Sequence, residues 1–296
     1  MADAEPTLEA LRAEIDAIDD DLHRQIMRRA EVALRIGTLK NANGGEAVLM
    51  RPGREAQVLR RLIARHDGAF PKSVIVRLWR ELIGAVLRMQ GPFSLAVYAP
   101  EGAAGYWDLA RDHFGSLTPA SAHDSAQQVL SALATGGASV GVLPLPDSDD
   151  AQPWWPMLLG HDAKRPRVVA RLPFGSGDTV RGAPLEALAV APIPVEPTGR
   201  DRTLLVIEAT APMSRSALAA KIKAAGFETA VIQSWHSPSD PAIWLHLVDV
   251  EGFVTDEDAK LARLASRIGK TLRQIWPVGG YAAPFSAAEL GPVRKG

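Results

Sequence analysis

LEALRAEIDAIDDDLHRQIMRRAEVALRIGTLK, residues 8–40, is the stretch on which the fold turns. Leu8, Leu11, Ile15, Ile18, Leu22 and Ile26 recur at three- and four-residue steps, the period of one helical face. No Gly or Pro interrupts the run before Gly37, so the spacing predicts a single amphipathic helix reaching about Lys40. Working outward, Asn41 to Gly45 carries a turn signal. Val58, Leu59, Leu62 and Ile63 mark a second, shorter helix that stops near Gly68 and Pro71. Ser73 is the expected N-cap of a third, carried by Val76, Trp79, Ile83 and Val86 and ended by Gly91-Pro92. Residues 1–91 therefore read as an all-α, three-helix domain.

From Phe93 the pattern becomes α/β. FSLAVYA (93–99) reads as a strand, followed by a turn, a helix near 104–113 and another near 124–134. ASVGVLPL (138–145) has the unbroken apolar character of a buried strand. Residues 146–200, rich in Pro, Gly and Asp, read as loops around one strand at 167–172. From Thr203 the order is strand (TLLVIEA), helix (SRSALAAKIKAAG, with Gly226 as its stop), strands ETAVIQSWH and AIWLHLVDV, a helix in TDEDAKLARLASRIGKTLRQ with a capping-box-like start at Thr255 and Asp258, and a closing IWPVGGY. That β-α-β-β-α-β order is ferredoxin-like. The chain thus reads as multidomain: 1–91 all-α, 92–202 a shortened α/β region, 203–296 an α+β unit with a tail.

Composition narrows the function classes. The 296 residues are 47% apolar and 23% charged, enough to bury ordinary cores. Lys and Arg total 33 against 34 Asp and Glu, a net charge of -1, so no global basic field exists to hold nucleic acid or an anionic membrane. Absence of Cys excludes disulfides, thiolate nucleophiles and Cys-ligated metals. MADAEPTLEA lacks the apolar core of a signal peptide, and no stretch approaches ~20 apolar residues, so a cytoplasmic protein is expected. The seven His are scattered without metal-ligand spacing. GSGD (175–178) reads as a turn, Asp147, Asp149 and Asp150 as a solvated loop, and Trp154 and Trp155 as packing residues.

Charges stand where the helical seams should be apolar. Positions 8, 15, 22, 29 and 36 form one heptad row, and Arg29 interrupts it. Lys40 follows eleven residues later, three turns on and on almost the same face. Either the stripe ends near Ile26 and both cations are solvated, or anions neutralise them. Glu55 sits one heptad before Leu62 on the apolar face of its helix, and Gln90 extends the Trp79, Ile83, Val86 row. Two cations, an amide and a carboxylate suit a small dianion with a hydroxyl and a neutral acceptor. Arg12 lies 17 residues before Arg29, about 25 Å along a straight helix, and points elsewhere; it could serve the equivalent site of a symmetry partner.

These residues resemble the all-α chorismate mutase family. LRAEID (11–16), the basic run RRAEVALRIGTLK (28–40), the Arg-Glu pair of RPGREAQVLRRL (51–62) and Gln90 stand at its spacing, most like the mutase domain of bifunctional chorismate mutase–prephenate dehydratases. The resemblance implies an intertwined homodimer with shared active sites and a pericyclic conversion of chorismate to prephenate, in phenylalanine and tyrosine biosynthesis, with no cofactor. It implies that Arg12 of a partner chain and Arg29 bind the carboxylates, that Lys40 and Gln90 donate to the ether oxygen, that Glu55 holds the ring hydroxyl and that Arg54 supports the site. Arg51 and Val86 depart from the family's Asp and Ser.

The rest of the chain resembles the same bifunctional enzymes in eroded form. VYAPEGAAGYWDLARDHFG (97–115) and SVGVLPLPDSDD (139–150) are similar to dehydratase stretches, and Asp201-Arg202-Thr203 stands where that family has Thr-Arg-Phe. Residues 203–283 resemble an ACT domain, with altered effector motifs at Ser214-Arg215-Ser216-Ala217-Leu218 and Gln233-Ser234-Trp235-His236. The expectation is a mutase without dehydratase activity, with an amino-acid effector at the ACT-like domain left open. A true bifunctional enzyme and a non-catalytic regulatory or partner-binding protein are the alternatives.

Overall fold

The computed structural model describes residues 7–42, 50–103, 105–147, 150, 152–162, 164–175, 185–236 and 240–291. The chain divides into two compact units, Met1–Leu49 with Val86–Gly91, and Met50–Ala85 with Pro92–Gly296.

The first unit is built on α1 (Leu8–Ala42), one helix as its apolar period predicts. Thr7 caps it, accepting from the Ala10 N–H at 3.2 Å. The expected turn at 41–45 begins with two residues that are still helical; 43–45 fall outside the described residues. The apolar stripe stays open: Leu8, Ile15 and Leu22 are 62%, 57% and 56% exposed. The end of α3 (Lys72–Gln90) completes this unit.

The second unit begins with α2 (Pro52–Arg65) and the rest of α3. Pro at the first helical position suits the start of α2, because its missing N–H would be unpaired there anyway. The third helix starts one residue before the expected cap: Lys72 is already helical, and the Pro71 carbonyl accepts from Val74 and Ile75. Then follow β1 (Leu95–Tyr98), α4 (Gly105–Phe114), β2 (Ala120–His123), α5 (Ala126–Ala134), β3 (Val140–Pro144), a 3-10 turn (Trp155–Leu158), β4 (Arg167–Leu172) and β5 (Ala187–Ala191). The remainder is β6 (Asp201–Ala209), α6 (Arg215–Ala224), β7 (Thr229–His236), β8 (Trp244–Glu251), α7 (Ala259–Ile268), β9 (Leu272–Ala282) and α8 (Ala287–Leu290).

β2 and β5 correct the sequence reading. ASAH has little strand character and holds as an edge only because it pairs in parallel with β1. ALAVA lies inside the segment read as loop, too short to show a period and buried at every position. The second correction concerns α7. Its cap is Asp258, whose carboxylate accepts from the Lys260 N–H at 2.8 Å, and Gly269, at φ +78, ends it, so 272–274 belong to β9.

The described strands form one sheet in the order β2-β1-β3-β5-β4-β9-β6-β8-β7. The last four carry the expected ferredoxin-like arrangement, all antiparallel. Leu205, Ile207, Val248 and Val250 on one face pack against Leu218, Ile222, Leu264 and Ile268 of α6 and α7. Trp154, Trp155 and Leu158 cover the other face with Leu204, Val206, Leu245 and Leu247, so the two Trp are packing residues as expected. The half-sheets meet at one pairing, Val168 of β4 with Gly279 of β9. Gly279 has φ +122, and a Cβ there would overlap the backbone of Val168. Gly279→Ala is therefore expected to cost about 2 kcal/mol or more; an unchanged urea midpoint would show that the join tolerates a side chain.

A C-terminal latch closes the unit. Ser286 and Glu289 form a capping box, and Arg200 Nη1 reaches Glu289 Oε1 at 2.6 Å. The Arg200 hydrogen bond is the main cause that pulls the Glu289 carboxyl down from 4.5 to about 2. A depressed acid adds stability above its ordinary value and loses it as the pH falls through the folded value. Glu289→Gln should therefore flatten the pH dependence of unfolding between about 4.5 and 2. Equal acid sensitivity of the two proteins in pH-stepped thermal melts would remove the latch from that role.

Candidate active site

In the first unit Arg12 and Arg29 lie on one unbroken helix. Arg12 is exposed. Arg29 is half-buried, and burial lowers the pKa of its guanidinium. At 1.5 Å per residue the two stand about 25 Å apart along the axis, too far to share one small substrate within a chain. Gln90 donates from Nε2 to the Ala33 carbonyl at 2.8 Å and lies alongside Gly37. Arg29, Ala33 and Gly37 follow at steps of four, so Gln90 packs on the face that carries Arg29. Lys40 occupies that face one turn further, in the last turns of α1; its side chain falls outside the described residues. A primary amide has two N–H donors and an acceptor oxygen, and the Ala33 bond uses one donor.

Arg54 and Glu55 belong to the second unit. Arg54 is exposed on the first turn of α2. Glu55 turns inward, and its Oε2 accepts from Arg80 Nη1 at 2.9 Å, with the two side chains only 11% and 5% exposed. Burial raises the Glu55 pKa, against the pull of Arg80. Arg80 is the residue that sequence reasoning missed. It stands four residues after Val76 and seven before Leu87, on the buried face of α3, and that misplaced cation was the available signal. Its guanidinium lies 5.1 Å above the Phe174 ring, and its Nε has no hydrogen-bond partner among the described residues. His113 lies in the same buried region, its pKa well below the usual value because of burial first and Arg80 second. Arg51, where the family pattern has Asp, instead clasps Glu196 with Nη2–Oε1 at 2.8 Å and Nε–Oε2 at 3.2 Å. Val86 is half-buried in the first unit.

Asp201 and Arg202 are each engaged within the fold. Asp201 is buried and accepts from Thr198 Oγ1 at 2.5 Å, Thr198 N at 2.8 Å and Gly199 N at 3.1 Å. Arg202 Nε donates to Asp249 Oδ1 at 2.6 Å, and the Tyr281 hydroxyl donates to Asp249 Oδ2 at 2.5 Å. Burial and then Asp249 push the Tyr281 pKa up to about 12. Arg171 completes the network, paired with Glu186 and 3.3 Å from the Tyr281 hydroxyl. In the effector-motif positions, Ser214 caps α6, Gln233 accepts from Trp155 Nε1 at 2.6 Å, and Ser234 contacts His246 Nδ1 at 2.8 Å. Of the Asp loop, Asp149 lies outside the described residues, as do 176–178 of GSGD. Among the described residues no His, Asp or Glu group could hold a metal ion, and no helix is long and apolar enough to cross a membrane.

The curated relatives are bifunctional chorismate mutase/prephenate dehydratases. That of Pseudomonas aeruginosa is 31% identical over 153 residues, 51% of this chain and 41% of that protein. That of Stutzerimonas stutzeri is 30% identical over 146 residues, 48% of this chain and 40% of that protein. The chain therefore matches less than half the length of these relatives. Among solved structures, the prephenate dehydratase of Streptococcus mutans is 15% identical, covering 65% of this chain and 99% of that one with a TM-score of 0.45. The Arthrobacter aurescens prephenate dehydratase, solved with L-Phe, is 12% identical, covering 68% and 92% with a TM-score of 0.47. Residues 11–91 match the family model described as chorismate mutase type II.

Proposed function

We propose that this chain isomerises chorismate to prephenate, as a cytoplasmic enzyme of phenylalanine and tyrosine biosynthesis. The family match of residues 11–91 carries the reading, and Gln90, bonded to the Ala33 carbonyl on the face of α1 that carries Arg29, supports it. The rearrangement is intramolecular, so the protein need only hold a compact substrate conformer and stabilise charge as the C–O bond breaks. Arg29 and a partner's Arg12 bind the two carboxylates. Lys40 and Gln90 donate to the ether oxygen. Glu55 accepts from the ring hydroxyl, and Arg54 supports the site.

The working unit is a homodimer. The open stripe of α1, Leu8, Leu11, Ile15, Ile18, Leu22 and Ile26, supports it, because an amphipathic helix gains most of its stability by burying such a face. Residues 92–202 act as a degenerate dehydratase-like region and 203–296 as an ACT-like domain. Internal bonding of Asp201 and Arg202 favours an enzyme without dehydratase activity.

Purified protein with chorismate is expected to give prephenate. Phenylpyruvate should form no faster than from prephenate alone. Product analysis checks both, and phenylpyruvate scaling with protein concentration would favour a bifunctional enzyme. Site sharing has its own test. Arg12→Ala and Lys40→Ala should each lose on the order of 100-fold in rate. Co-refolded in equal amounts, the two variants form about half mixed dimers, each with one intact site, so about a quarter of all sites regain activity. No recovery, with mixed dimers confirmed by differential tags, would place Arg12 outside the shared site.

A further inference from the structure

The mutase reading leaves open what keeps Glu55 competent inside a buried, largely apolar enclosure. Burial favours the neutral acid, whereas a ring hydroxyl is held best by a carboxylate, which offers acceptors only. The groups around Glu55 resolve this conflict. Arg80 is the cation in direct contact, at 2.9 Å. Its guanidinium is backed by Phe174, whose ring also lies 5.9 Å from the Arg60 guanidinium and packs edge-on against Phe285 at 5.3 Å. His113, the other titratable group near Arg80, is held neutral by burial and by that cation. Around them the wall is apolar: Ala56, Leu59, Val76, Trp79 and Leu290.

Phe174 does not come from the mutase-like segment. It follows β4, about 120 residues downstream of Glu55, and its carbonyl accepts from the Phe285 N–H at 2.8 Å. Arg60 fastens α2 to the same part of the fold, through Thr198 Oγ1 at 2.9 Å and the carbonyls of Arg200 and Ala283 at 2.8 and 2.9 Å. We propose that Arg80 is the positioning residue for Glu55 and that Phe174 seals the pair from water, so that the dehydratase-like region supplies one wall around the mutase's carboxylate. This rests on the mutase reading, and it gives the eroded region a part in the same reaction.

Full-length Arg80→Gln, Arg80→Lys, Phe174→Ala and Phe174→Leu test it, with circular dichroism as the check on folding. Chorismate consumption is followed from pH 5 to 9, and the Glu55 carboxyl is titrated by 13C NMR, a readout independent of turnover. Arg80→Gln should raise KM roughly tenfold at pH 6, with a smaller effect on kcat and recovery as the pH rises and the acid ionises. Arg80→Lys should restore much of that loss. Phe174→Ala lets water reach the pair, which should move the acid limb of kcat/KM and the Glu55 titration to lower pH; Phe174→Leu should reverse part of the shift. A folded Arg80→Gln protein with wild-type KM at pH 6 and an unshifted Glu55 titration would overturn the proposal. An unshifted titration in Phe174→Ala would remove the wall. If wild-type protein turns over no chorismate, the mutase reading falls, and the titrations still decide whether Arg80 and Phe174 govern Glu55. If Arg80→Gln fails to fold, Arg80→Lys and the two Phe174 variants carry the decision.

Discussion

A carboxylate and a guanidinium taken out of water must be enclosed together or not at all. Breaking such a pair by removing one partner costs about 3–5 kcal/mol, because the other charge stays behind. Glu55 and Arg80 impose this condition on α2 and α3, and the surrounding fold meets it. Phe174, Phe285 and Leu290 close the apolar side. Arg51 and Arg60 tie α2 to Glu196, Thr198, Arg200 and Ala283. Gly84 lets α3 approach the backbone of Phe114 so closely that a Cβ would overlap its carbonyl. The helices are held by backbone carbonyls and by one buried charge pair as much as by their apolar faces.

The residues at 198–202 and their strand neighbours do the same work. Asp201 organises the 198–199 loop that receives Arg60, and Arg202, Asp249, Tyr281 and Arg171 link four neighbouring strands through side chains. A guanidinium already neutralised by a carboxylate at 2.6 Å has little attraction left for an anionic ligand.

Much of this was legible in the chain. The 3.6-residue period of Leu8–Ile26, with no Gly or Pro before Gly37, sufficed for α1, and the order of apolar runs with Gly and Ser boundaries sufficed for the β-α-β-β-α-β unit, because both depend on local pattern. β5 was not legible. ALAVA owes its conformation to β3 and β4 on either side, and a five-residue apolar run carries no period. The cap of α7 was misplaced because Thr255 and Asp258 are both competent N-caps, and only the hydrogen bond to Lys260 separates them. Of the candidate site residues, helical spacing related the positions of Arg29 and Lys40 along α1, whereas the contact of Gln90 with Ala33 needed the fold. The pairing of Glu55 with Arg80 needed the tertiary fold, since 25 residues and a turn separate them.

The continuity of the sheet bears on how the second unit comes apart. Two α/β layers with separate sheets would melt as separate blocks. Here the β1–β5 half and the β6–β9 half share a hydrophobic core in which Val168, Leu188 and Val190 lie with Leu204, Val206 and Val278. Opening either half exposes apolar surface of the other, so the free energies of the two are coupled rather than additive. Cooperativity of this kind is expected to make the α/β layer a single foldon, with its amides exchanging as one slow class.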